Sequence, residues 1–314
     1  MRSMSVCWNI AGNLLRRILQ KHNMVIRIFL VALFLVVAPI RTIVIAPAQA
    51  QDAAETSFMF GVLRDGDRVT GEFNAVVTAR LYGFYGSMGD VVRIDMMPLD
   101  DDLDPLLVLL DTRGQVIAQD DDSGDNLAAQ IANVTLPADG AYLILATSFV
   151  FIDNILPEID DIDAPDVRLP TPVRYQLSID GITAPDDVPE TISLATRMIE
   201  LDTTLTGEIS DDEPVVFVTY EGRAEQIVDI FLNSRAFDPV IHIFRSNGDR
   251  IIVADDDLER RIINSAIRDF VLPADDTYLI VATDVFFYNI PNPAAPPEHT
   301  FRHGAFELTV RSDD

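Results

Sequence analysis

The sequence predicts an all-β protein: two tandem antiparallel, jelly-roll-like β-sandwich domains behind an N-terminal signal peptide. Three observations carry that expectation. The chain repeats itself in order over most of its length, its apolar residues alternate with a period of two, and turn residues return about every ten positions.

The leader, residues 1–50, differs in composition from everything after it. It holds Arg2, Arg16, Arg17, Lys21, Arg27 and Arg41 and no acidic residue. A basic stretch precedes the apolar run Ile28 to Ile40, and the small-residue site "APAQA" ends at Ala50. This is the layout of a secretory signal peptide cut after Ala50. The apolar run is shorter than the ~20 residues a spanning helix needs. No membrane span is expected after cleavage, and retention as a signal anchor is the alternative. Met24 competes with Met1 as the start.

Removing the leader leaves 17 basic residues against 50 acidic ones, a net charge of 17 − 50 = −33. The only cysteine, Cys7, and the only tryptophan, Trp8, leave with it. Disulfides are therefore excluded, and the fold must rest on its core or on bound metal. So acidic a chain repels nucleic acid and anionic lipid. It suits cations and basic partners, or simply stays soluble.

The repeat organises the rest. "LPADGAYLILAT" (Leu136 to Thr147) and "LPADDTYLIVAT" (Leu272 to Thr283) agree at nine of twelve positions, 136 residues apart. In the same order, "VTGEF" at Val69 matches "LTGEI" at Leu205, and "VVRIDM" at Val91 matches "IVDIFL" at Ile227. "DPLLVLLDTRGQVI" at Asp104 matches "DPVIHIFRSNGDRI" at Asp238, and "YQLSID" at Tyr175 matches "FELTVR" at Phe306. The expected domains are residues 51–183 and 197–314, joined by a proline- and acid-rich linker at 184–196.

Within each copy the strands show one buried face: Val92, Ile94 and Met96 alternate with Arg93 and Asp95. Turns fall at "RDGD" (Arg64), "TRGQ" (Thr112), "PADG" (Pro137) and "SNGD" (Ser246). Many short strands at this spacing indicate a sandwich or jelly roll. Tyr142 and Tyr278 follow such a corner, which suits a hydroxyl folded back onto upstream backbone.

The order "TGE" turn, Asp-Pro strand, turn glycine (Gly114, Gly248), acidic triplet and corner tyrosine resembles the bacterial pre-peptidase C-terminal domain family. The likeness runs twice, from about Phe58 to Val310. The resemblance implies a non-catalytic β-sandwich module of the kind found beside secreted proteases and other exported enzymes, often in tandem. No peptidase precedes the modules in this sequence.

Candidate sites are few. The histidines are His22, His242, His299 and His303, and no nucleophile elbow, zinc-helix motif or phosphate loop accompanies them. The expectation is no enzyme, with an unrecognised carboxylate hydrolase as the remote alternative. Alternation could place His242 on an outer face. His299 and His303 lie in a proline-rich loop.

The acidic groups Asp104, Asp120, Asp121 and Asp122, and their counterparts Asp238, Asp255, Asp256 and Asp257, are the candidate metal ligands. Calcium is the cation that clustered oxygen donors suit. The bland reading is a solvated turn whose aspartates bond nearby backbone. The aromatic stretches "SFVFID" (Ser148) and "DVFFYN" (Asp284) fit core packing, or recognition of a peptide or sugar. Alternation would put Phe286 and Tyr288 on one face and Phe287 on the other. The sequence thus points to a secreted or envelope protein that binds an extracellular protein, peptide or polysaccharide, with calcium-dependent envelope assembly as the second reading.

Overall fold

The structure is a computed structural model, and residues 55–148, 172–183, 188–254, 264–288 and 302–312 are described. The expected signal peptide, Asp255 to Asp257, His299 and most of both long insertions lie outside them. The described residues are all-β, apart from two short 3-10 turns at Asp125–Leu127 and Val285–Tyr288. Among them, no helix is long and apolar enough to cross a membrane.

Nine strands make up the first half: β1 Glu55–Leu63, β2 Arg68–Phe73, β3 Ala79–Gly86, β4 Val91–Pro98, β5 Pro105–Asp111, β6 Val116–Asp120, β7 Ala129–Thr135, β8 Gly140–Ser148 and β9 Val173–Asp180. Nine more make up the second: β10 Thr191–Met198, β11 Thr203–Ile209, β12 Val216–Gly222, β13 Ile227–Ser234, β14 Pro239–Phe244, β15 Asp249–Ala254, β16 Ser265–Val271, β17 Asp276–Asp284 and β18 Gly304–Ser312. The segment read as a linker includes the first residues of β10.

Pairing follows one plan in both halves. An outer sheet runs β2-β9-β4-β7, and an inner one runs β3-β8-β5-β6. The second half repeats this as β11-β18-β13-β16 and β12-β17-β14-β15. Two Greek keys closed over each other in this order make a jelly roll. Each sandwich has its own core. Phe73, Phe84, Ile94, Met96, Leu107 and Tyr175 fill the first. Ile209, Val218, Ile230, Leu232, Ile241 and Phe306 fill the second.

The two halves share a sheet. Strand β1 runs antiparallel to β10, with Phe58 opposite Leu194. These two positions differ by 194 − 58 = 136, the spacing of the repeat, so the strand pair sits on a local two-fold. At their far ends β1 pairs in parallel with β3, and β10 with β12. Strand β15 also pairs with β3 through Asp249–Arg80 and Arg250–Ala79. Ten strands thereby join across the halves.

A third apolar cluster fills the seam. It includes Phe58, Phe60, Leu81, Val108, Leu143, Leu145, Ile192, Leu194, Phe217 and Leu279. Strands β5 and β8 are therefore buried on both faces: Leu107 and Leu109 enter the first core, while Leu106, Val108 and Leu110 enter the seam. Two-sided burial explains why "PLLVLL" is a continuous apolar run rather than an alternating one.

The repeated words have specific structural duties. Gly71 of "TGE" faces Tyr175, and Gly207 faces Phe306. A Cβ at either glycine would fall 2.1 Å from the Tyr175 ring or 2.4 Å from the Phe306 ring. The corner tyrosines act as expected. Tyr142 Oη donates to Ala138 O at 2.6 Å, and Tyr278 Oη donates to Ala274 O at 2.8 Å. Turn glycines Gly114 and Gly248 take left-handed φ values of 83° and 87°. Each also lies against the opposite half, Gly114 on Val215 and Gly248 on Leu81.

Candidate functional site

The acidic groups separate on inspection. Asp120 Oδ1 accepts from Ser123 N at 3.0 Å and from Gln130 N at 2.6 Å. It ties the β6–β7 connection together as a backbone acceptor, the role short aspartates serve in turns. Asp121 is half-buried and Asp122 exposed, while Asp104 and Asp238 are half-buried just before β5 and β14. Among the described residues, no three His, Cys, Asp or Glu side chains group so as to hold a metal ion, and Asp104 with Asp120, Asp121 and Asp122 forms no such group.

His242 does not sit on an outer face. It is buried on β14, 1% exposed, because this strand is covered on both sides. Its Nδ1 lies 3.3 Å from Nη1 of Arg250, whose side chain is wholly buried. Burial, and then the Arg250 charge, hold the imidazole well below its ordinary value, so it stays neutral. Arg250 Nε donates to Thr78 Oγ1 at 3.1 Å, across the seam.

Beside it, Arg80 Nε pairs with Asp249 Oδ1 at 2.5 Å. Burial opposes the charge on Arg80, but the Asp249 bond and neighbouring groups outweigh it and raise its pKa. Tyr82 and Tyr175 share a hydroxyl–hydroxyl bond of 2.8 Å. Burial lifts both phenols above their ordinary value. The cavity next to His242 is only about 30 Å³ and is lined by Leu143, Leu145, Phe217, Phe244 and Val281. A water fits there, but a substrate does not. Arg250 and the Arg80–Asp249 pair join the halves, while Tyr82 and Tyr175 bond each other within the first.

The aromatic stretch at 284 also departs from its expected form. Val285–Tyr288 is a 3-10 turn, so strand alternation does not apply. Phe287 packs into the seam. Residues 149–153 of the matching stretch are outside the described residues. His303 Nδ1 lies 3.6 Å from Asp211.

An open concavity lies at the end of β10 and the β12–β13 turn. It encloses about 750 Å³, lined by Met198, Ile199, Glu200, Leu201, Tyr220, Glu221, Arg223, Ala224, Glu225 and Gln226. The motifs did not indicate it. Its residues come from two segments that look like ordinary turns.

No family model matches the chain, and no curated protein matches it. Solved structures give distant likenesses. The pre-peptidase C-terminal domain of a Bacillus anthracis collagenase is 16% identical, covering 36% of this chain and 91% of its own, with a TM-score of 0.27. PliG of Aeromonas hydrophila, a periplasmic inhibitor of g-type lysozyme, is 12% identical over 38% of this chain and 94% of its own, with a TM-score of 0.24. The CUB1-EGF-CUB2 region of human MASP-1/3 is 11% identical over 82% of this chain and 99% of its own, with a TM-score of 0.18. Likenesses at these scores carry no argument about activity, and the family suggested by the motifs stays a resemblance.

Proposed function

We propose that the protein is an exported, non-catalytic binding module, built from two jelly-roll copies (residues 51–183 and 197–314) and acting outside the cytoplasm on a macromolecular partner. One contrast carries this reading. The perturbed polar side chains are tied up in packing: His242 and Arg250 are buried beside the seam, and Tyr175, bonded to Tyr82, is buried in the first core. The accessible concave surface at Tyr220 and Gln226 carries glutamates, an arginine and apolar walls. The cleft lining includes no Ser, Cys or His, which leaves Glu200, Glu221 and Glu225 as the groups a hydrolase would have to use there. A rigid sandwich with a shaped recess suits recognition. The basic leader and the charge of the mature chain support export and a basic partner.

A photo-crosslinker placed at Ala224, with one at Asp121 as control, tests the reading on the secreted fraction. Adducts are expected from position 224 and not from position 121. Turnover of ester, peptide or glycoside substrates by the purified chain would overturn it.

A further inference from the structure

The seam has two flanks, and they are unequal. The repeat makes Thr78, Ala79, Arg80 and Leu81, where β3 begins, the counterparts of Pro214, Val215, Val216 and Phe217, where β12 begins. It makes Gly248, Asp249 and Arg250, leading into β15, the counterparts of Gly114, Gln115 and Val116, leading into β6. The same bond marks the first match in each half: Thr147 Oγ1 donates to Thr78 O, and Thr283 Oγ1 donates to Pro214 O, each at 3.0 Å. A two-fold seam would join β15 to β3 on one flank and β6 to β12 on the other.

The first join is made. Leu81 N donates to Gly248 O at 2.8 Å, and Thr78 N donates to Arg250 O at 3.2 Å. Arg80 pairs with Asp249, and Arg250 Nε donates to Thr78 Oγ1. The second join is not made. Among the described residues β6 pairs with β5 alone, and β12 pairs with β10 and β17. The residues explain the difference. Pro214 has no N–H to match that of Thr78. Gln115 and Val216 stand where Asp249 and Arg80 form their ion pair, and Val116 stands where Arg250 reaches across. On this flank Gly114 lies against Val215, and Gln115 Nε2 donates to the Asp211 carbonyl.

We propose that the β5–β6 turn is a gate on the seam. It swings away from the start of β12 while the β14–β15 turn stays latched to β3. Opening uncovers Val215 and Phe217, which with Leu110 wall the cavity beside His242. This flank is therefore the route by which water reaches that cavity. The motion is a local opening, and it leaves β5, β8, β14 and β17 paired.

Thiol labelling tests the gate. Residues 51–314 contain no cysteine, so a single introduced thiol reports its own exposure. Val215→Cys and Ala79→Cys place one at buried counterpart positions on the two flanks. Labelling in native buffer, normalised to the rate in urea, should be at least tenfold faster for Val215→Cys than for Ala79→Cys. Adding Pro214→Thr, which supplies the residue of the latched flank, should slow the labelling of Val215→Cys at least threefold. Hydrogen exchange of the unsubstituted residues 51–314 gives a reading that needs no variant to fold. After correction for intrinsic rates, the Phe217 amide should exchange at least tenfold faster than the Leu81 amide. Equal rates on the two flanks by either method, or faster rates at Ala79 and Leu81, would overturn the proposal. So would an unchanged labelling rate in folded protein carrying Pro214→Thr.

Discussion

Gly71 stands opposite Tyr175 in the β2–β9 pair, and the tyrosine ring lies where a side chain at position 71 would project. Gly207 and Phe306 repeat the arrangement. Each aromatic ring is held in its core by the missing Cβ opposite. Gly71→Ala should therefore cost ~1–3 kcal/mol, the range for forcing atoms into a packed site. Gly207→Ala should behave alike. Denaturant unfolding measures both, and an unchanged midpoint would contradict the packing.

The corner tyrosines give a milder prediction. Tyr142→Phe and Tyr278→Phe keep the ring and remove the bonds to Ala138 and Ala274. Each should lower stability by about 1 kcal/mol. The two sites are in separate cores, so the double variant should show the sum. Thermal melts of the four proteins check it.

Asp120 is expected to act through backbone. Asp120→Ala removes the acceptor for Ser123 N and Gln130 N, at a cost of about 1–3 kcal/mol. The loss should be the same in calcium as in chelator at fixed ionic strength. A loss seen only with calcium would show the aspartates to be metal ligands.

His242 makes stability depend on pH. Its folded pKa is depressed by burial, and next by Arg250. Above the ordinary value of 6.5 the imidazole is neutral in both states and nothing is lost. Below it the unfolded chain takes up a proton that the fold refuses. Stability then falls by up to ~1.4 kcal/mol per pH unit until the folded pKa is passed. His242 faces Arg250 and the apolar seam, and Arg250 supplies the charge that acts on it. His242→Gln should flatten the profile between about pH 6.5 and 5, above the range where exposed carboxylates titrate. Urea midpoints across that window test it.

Much of this architecture was legible in the residues. Alternation in Val92–Met96 and the turn glycines announced strands, and the repeated corner announced Tyr142 and Tyr278. The seam was harder to read, because its evidence is long-range. Arg250 is buried by virtue of Thr78, and Asp249 by virtue of Arg80, each from the other half. One local signal existed: the unbroken apolar runs "PLLVLL" and "PVIHIF", with His242 inside the second, imply strands covered on both faces. The cleft left no such mark. Leu201, Tyr220 and Gln226 are unremarkable in sequence and meet only in the fold.

Seam packing is the feature that makes two sandwiches one body. Leu143→Ala, at a fully buried seam position, should cost about 2–5 kcal/mol. The most direct test of the shared seam is native-state hydrogen exchange of residues 51–314, read by mass spectrometry across a urea series. Strands β5 and β8 of the first half should open together with β14 and β17 of the second, at one common free energy that Leu143→Ala lowers in both halves alike. Separate opening free energies, with the variant's effect confined to the first half, would contradict the account.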